Sequence, residues 1–162
     1  MEKLITLIYP YYDNPNMFKI QQDNWNSYSE EIRDKIEVIV VDDVSQNYPA
    51  INHVIKDRKY DFRLYRILGE NIPWNWIGAR NIAADVAQNN WLMHTDIDLL
   101  WPEKTVRGVI EMIEKKYQVT CYMRVEAEGV EPLTYQEALS EKEHMELLQP
   151  ENIYRIEEIE GD

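Results

Sequence analysis

The sequence predicts an α/β domain built on a mainly parallel sheet flanked by helices. Three observations carry that expectation. Apolar runs of strand length alternate with stretches of helical periodicity through residue 125. One of those runs, residues 37–41, is β-branched almost throughout, as in a strand covered on both faces. Polar and turn-forming residues gather at the ends of three predicted strands, where open parallel sheets bind their ligands.

The elements follow in order. Residues 4–9 form a short apolar run that Pro10 is expected to end. Asn14-Pro15 reads as an N-cap with proline at the first helical position, opening a helix to about Asn26. Residues 37–41 are the second strand, ending in Asp42-Asp43. A short helix is expected over 50–57 and a third strand over 62–67. Within 78–88, Ile82, Ala83, Val86 and Ala87 share one stripe of an amphipathic helix. Residues 91–95 make a fourth strand. Pro102 opens a helix whose Val106, Val109, Ile110 and Ile113 fall at helical spacing, and residues 117–125 complete the series as a fifth strand.

This places a ligand-binding α/β domain over 1–125 and an acidic segment over 126–162, expected as a helix plus tail packed on the same domain. Thr134 and Glu137 suit a capping box for a helix over 134–148, and 153–162 reads as a strand or an acidic tail. Of the net charge of −13, the segment 126–162 holds −10. Such a field excludes a nucleic-acid partner, which needs clustered Lys and Arg. A phosphate-bearing ligand fits if a metal supplies positive charge locally. At 162 residues the chain is one domain by size. Its single cysteine, Cys121, rules out an internal disulfide and reads as core packing. No apolar run has a membrane-spanning length, and the N-terminal run is too short for a signal peptide. The expected location is cytoplasmic.

Asp96 and Asp98 are the sharpest chemical signal. Two carboxylates one residue apart after a buried strand suit Mn²⁺ or Mg²⁺, hard cations that bridge a diphosphate. The competing reading is a turn that caps the helix near Pro102. Asp42-Asp43 is equally two-sided: an acceptor for a base or ribose, or an Asx turn. Gly78-Ala79-Arg80-Asn81 opens a helix, where Arg80 either meets phosphate or is a surface arginine. Trp74 and Trp76 either stack on a sugar or anchor a loop. His94 lacks a metal-spaced partner and reads as a satisfied strand histidine.

Tyr9-Pro10-Tyr11-Tyr12-Asp13-Asn14, Val41-Asp42-Asp43-Val44-Ser45, Gly78-Ala79-Arg80-Asn81-Ile82-Ala83 and Thr95-Asp96-Ile97-Asp98 occur in that order. Together they resemble the Rossmann-like nucleotide-sugar-binding half of GT-A glycosyltransferases, closest to family 2, over about residues 3–125. The resemblance implies a metal-dependent transfer of sugar from a nucleoside diphosphate, UDP-sugar favoured, to an acceptor hydroxyl with inversion. Pro10 and Tyr12 would lie beside the base and Asp43 would bond a uracil-like edge. Arg80 would lie near the diphosphate or base, Asp96 would contact ribose or metal, and Asp98 would coordinate the Mn²⁺ or Mg²⁺. The family's downstream carboxylate base has no recognisable counterpart, so the catalytic base is unidentified, and the acceptor half is shortened, supplied by another chain as in a homodimer, or absent because the chain is a compact variant or fragment. Two alternatives stay open: a nucleotide-sugar-binding domain without transfer, and an acidic interaction protein.

Overall fold

The computed structural model describes residues 3–69, 75–116 and the backbone of 155–159. Its five strands are β1 (Ile5–Tyr11), β2 (Ile36–Asp42), β3 (Asp61–Leu68), β4 (Trp91–His94) and β5 (Arg155–Ile159). They form one sheet in the order β4-β1-β2-β3-β5. The first four are parallel, and β5 runs antiparallel along β3. The helices are α1 (Pro15–Ser27), α2 (Glu30–Arg33), α3 (Trp76–Val86) and α4 (Glu103–Glu114), with a 3-10 turn at Ala50–His53. The strand expected over 117–125 and the helix over 134–148 lie outside the described residues.

Side-chain alternation divides the core. On β1, Ile5, Leu7, Tyr9 and Tyr11 face one layer, where they pack with Phe18 and Trp25 of α1 and Val106, Val109 and Ile110 of α4. Ile8, on the other face, joins Ile39, Val41, Tyr65 and Ile67 against Ala79, Ile82 and Ala83 of α3. Every residue of β2 is buried, which is why its sequence shows no alternation. Small residues on α3 let that helix lie close to the sheet.

The same alternation brings charge onto the α3 face. Glu37, 3% exposed, meets Arg63 of β3, with Oε1 and Nη2 2.5 Å apart. Thr6 Oγ1 (2.7 Å) and Asn89 Nδ2 (3.1 Å) donate to the other oxygen, Glu37 Oε2. Arg63 also donates to Val86 O at 3.0 Å and to the Tyr65 hydroxyl at 3.1 Å. Burial works against the Arg63 charge, but Glu37 and Tyr65 outweigh it and hold the guanidinium above its usual value.

Several boundaries differ from expectation. Strand β1 runs through Pro10 to Tyr11 instead of stopping at Tyr9. Ile8 O accepts from Thr95 N on the β4 side and Tyr11 O accepts from Asp43 N on the β2 side, so even-numbered backbone groups of β1 point toward β4. Pairing with β4 ends at Ile8, so the N–H that Pro10 lacks would have had no strand to bond. The helix expected over 50–57 is only the 3-10 turn, entered from Pro49 and left at Val54 in extended backbone. Helix α2 was not foreseen, being four residues long. Of the two readings of the C-terminal end, a strand is the one observed, at Arg155–Ile159.

Removing one partner from the Glu37–Arg63 pair leaves a buried charge uncompensated. Arg63→Met should therefore destabilise by about 3–5 kcal/mol in urea unfolding, while Glu37→Leu with Arg63→Met recovers most of it. Equal loss in single and double variants would show that the pair's charges are not what matters.

Candidate functional site

The carboxyl ends of β1, β2 and β4 lie together because β1 is hydrogen-bonded between the other two. The chain leaves β1 at Tyr12, which is 46% exposed, and turns at Asp13, whose φ of 41° is left-handed. Asp13 then fastens the loop that follows β2. Its Oδ1 accepts from Tyr48 N (2.7 Å) and Asn47 N (2.9 Å), and its Oδ2 from Gln46 N (3.2 Å) and Asn47 Nδ2 (3.1 Å). Its own N–H donates to Ser45 Oγ at 3.0 Å. Burial alone would raise this carboxyl, but the hydrogen bonds win and hold it below its usual range.

The structure separates the two aspartates after β2. Asp42 is a turn residue: its Oδ1 accepts from Ser45 N and its Oδ2 from Ala50 N, both at 2.8 Å. The turn requires Val44 at φ 55°, a conformation that costs a β-branched residue on the order of 1–3 kcal/mol. Asp43 is 6% exposed, and its Oδ1 has no hydrogen-bond partner among the described residues. Asn75, just before α3, gives Asp43 a side-chain and a backbone hydrogen bond. Desolvation outweighs these and, with the neighbouring Asp42 charge, pushes the Asp43 carboxyl up to about 6. One acid is spent on the fold, and the other is buried with an open oxygen.

At the end of β4, Thr95 accepts from Trp101 Nε1 on its hydroxyl at 2.6 Å. Leu99 N donates to Asp96 O at 3.0 Å, closing a turn that carries both carboxylates. Helix α1 supports this turn from below. Gln21 Nε2 donates to Ile97 O (2.9 Å) and Leu99 O (2.7 Å), and Asn24 Nδ2 and the Tyr28 hydroxyl donate to Trp101 O (3.0 and 2.5 Å). Arg80, on α3, donates from Nη2 to Asp96 Oδ1, and its guanidinium lies 4.4 Å from the Trp76 ring centroid. Asp98 is exposed on the same turn.

The predicted residues thus form two groups. Pro10, Tyr12 and Asp43 stand at the ends of β1 and β2, while Arg80, Asp96 and Asp98 stand at the end of β4. Arg80 and Asp96, 16 positions apart in the sequence, are in direct contact. Trp76 carries the arginine; Trp74 lies outside the described residues. Asn75, Asp13 and Gln21 were missed. Gln21, Asn24 and Tyr28 share one face of α1, so a polar stripe there was the available signal for Gln21. Asn75 gave no signal, since its role depends on a contact with Asp43 far away in the chain.

The family model described as Glycosyl transferase family 2 matches residues 8–158. The chain belongs to glycosyltransferase family 2. Among solved structures it is similar to S. aureus TarS 1–349, with TM-score 0.55 and 18% identity over 69% of this chain and 32% of that one. The same TarS region in complex with UDP gives TM-score 0.53 at 20% identity, covering 69% of this chain and 32% of that one. Its complex with UDP-GlcNAc gives 0.52 at 21%, covering 69% and 31%. The shared fold is GT-A, and this family 2 chain spans about a third of the length of TarS 1–349. No curated protein sequence matches it. Among the described residues no helix is long and apolar enough to cross a membrane.

Because the Asp43 pKa is raised on folding, the protonated acid favours the folded state. That contribution is full below the unfolded value near about 4 and is lost as pH rises through about 6. Asp43→Asn should therefore melt higher than wild type at pH 7.5, with the gap closing below about pH 4. A gap that is constant with pH would contradict the buried charge.

Proposed function

We propose that this chain binds the nucleoside diphosphate of a sugar donor, UDP-sugar in the first place, and serves transfer of the sugar to an acceptor hydroxyl with inversion. The observation that carries the reading is Asp43, a buried carboxylate with an unpartnered oxygen at the carboxyl edge of the sheet. Family membership and the likeness to TarS, which was solved with UDP and with UDP-GlcNAc, support it. In this reading Asp43 accepts from an N–H on the base, and Pro10 and Tyr12 flank the base.

The residues on the β4 turn fit a hard divalent cation. Asp98 is exposed, Asp96 is half-exposed, and both offer carboxylate oxygens. Among the described residues no cluster of three His, Cys, Asp or Glu is present, so phosphate and water oxygens would complete the shell, as is usual for Mg²⁺. Asp98 and Asp96 would hold Mn²⁺ or Mg²⁺, and the bound ion supplies neutralisation of the departing diphosphate. Arg80 is stacked on Trp76 and reaches Asp96, contacts that support a role for its guanidinium in binding and orienting the diphosphate. The general base is left unassigned, and the single cysteine fits a reducing cytoplasm. Since the chain spans about a third of TarS 1–349, donor binding without transfer is the second reading.

A thermal-shift panel of nucleoside diphosphates and their sugars, with and without Mn²⁺, tests this. UDP at a hundred times its Kd should stabilise by about 2.7 kcal/mol. Asp98→Ala should remove the Mn²⁺-dependent part of the shift and keep the remainder. No shift with any nucleoside diphosphate would sink the proposal. Release of free sugar or transfer to an acceptor, followed by chromatography, separates the two readings.

A further inference from the structure

Asn75 occupies the N-cap position of α3, where an asparagine ordinarily turns its side-chain oxygen onto a free N–H of the first turn. Here it makes no such bond. The residue is 2% exposed, its Oδ1 has no partner among the described residues, and it bonds Asp43 from both the side-chain amide and the backbone N–H. The side chain is therefore committed to Asp43 rather than to its own helix.

Gly78 makes that placement sterically available. A Cβ at this position would stand 2.3 Å from Asn75 Oδ1, 3.0 Å from Cγ and 3.1 Å from Nδ2. Non-bonded heavy atoms do not approach to the first of these distances, so any side chain at 78 displaces the Asn75 amide. Gly108, by contrast, has nothing within 4 Å of such an atom. A side chain is therefore excluded at 78 by the Asn75 amide, whereas one at 108 would meet open space.

We infer that Asn75 and Gly78 together position Asp43: the missing side chain at 78 admits the Asn75 amide, which holds the carboxylate and leaves Oδ1 as the acceptor for an N–H of the donor's base. The inference rests on the donor-site reading above and adds two positioning residues, Asn75 bonded to Asp43 and Gly78 set against the Asn75 amide. Asp42, the one neighbouring charge that acts on Asp43, is occupied by Ser45 and Ala50 and stays untouched by the substitutions below.

The test is a double-variant cycle with two readouts: UDP affinity by calorimetry, and the pH titration of the Asp43 carboxyl carbon by NMR. Asn75→Ala and Gly78→Ala should each weaken UDP about tenfold and each move the Asp43 titration upward, because both remove the amide hydrogen bond. The double variant should match Asn75→Ala alone, since the atom that the new Cβ meets is gone. If Gly78→Ala unfolds, the double variant should refold, a rescue that a general helix defect would not show. Wild-type UDP affinity in Gly78→Ala, or additive losses in the double variant, would overturn the inference. If UDP does not bind at all while the Asp43 titration responds to both substitutions, the clamp stands and the donor-site reading falls.

Discussion

Strand β1 is hydrogen-bonded on both sides, and the two sides end at different heights. Its pairing with β2 continues to Tyr11, while its pairing with β4 stops at Ile8. Parallel strands cannot close that step with a hairpin, so the chain leaves β1, β2 and β4 through separate loops around a notch. Pro10 suits the edge of this notch, because its backbone has no donor to leave unsatisfied there. Apart from Pro10, which lies in β1 itself, the candidate residues lie on the loops that follow β1, β2 and β4 or near the start of α3.

Four aspartates around the notch are chemically alike and differ in how much of their hydrogen-bonding capacity the fold consumes. Asp13 and Asp42 are filled by backbone N–H groups, and each holds a loop in place. Asp96 gives one oxygen to Arg80, and Asp43 keeps Oδ1 open in a buried setting. Adjacent in sequence, Asp42 and Asp43 thus take opposite roles because Val44 adopts a left-handed backbone between them and Ser45. Residue type says little here. The distinction lies in which oxygens remain available.

Much of the sheet was legible in the sequence because two-sided burial leaves long β-branched runs, and β2 is the clearest case. The helix starts were legible through Asn14-Pro15 and Pro102, whose chemistry is local. Asp43, Arg80, Asp96 and Asp98 were singled out by their position after strands and by order along the chain. What could not be read depended on pairing across distance. The extension of β1 through Pro10 depends on where β4 stops, and the role of Asn75 depends on an acid 32 residues earlier. Gly78 is legible only as part of the motif that opens a helix, and its packing against Asn75 emerges from the fold.

Helix α3 touches both ends of the sheet. Near its C-terminal end Val86 O accepts from Arg63, within a network that fills Glu37, Thr6 and Asn89; just before its N-terminal end Asn75 holds Asp43 with an oxygen to spare. At the first end the buried carboxylate has both oxygens engaged, and at the second it keeps one oxygen open. Substitutions at the first end should therefore cost fold stability, and substitutions at the second should cost ligand affinity. A collection of random variants ranked by heat resistance and the same collection ranked by nucleotide affinity would accordingly point to opposite poles of a single eleven-residue helix.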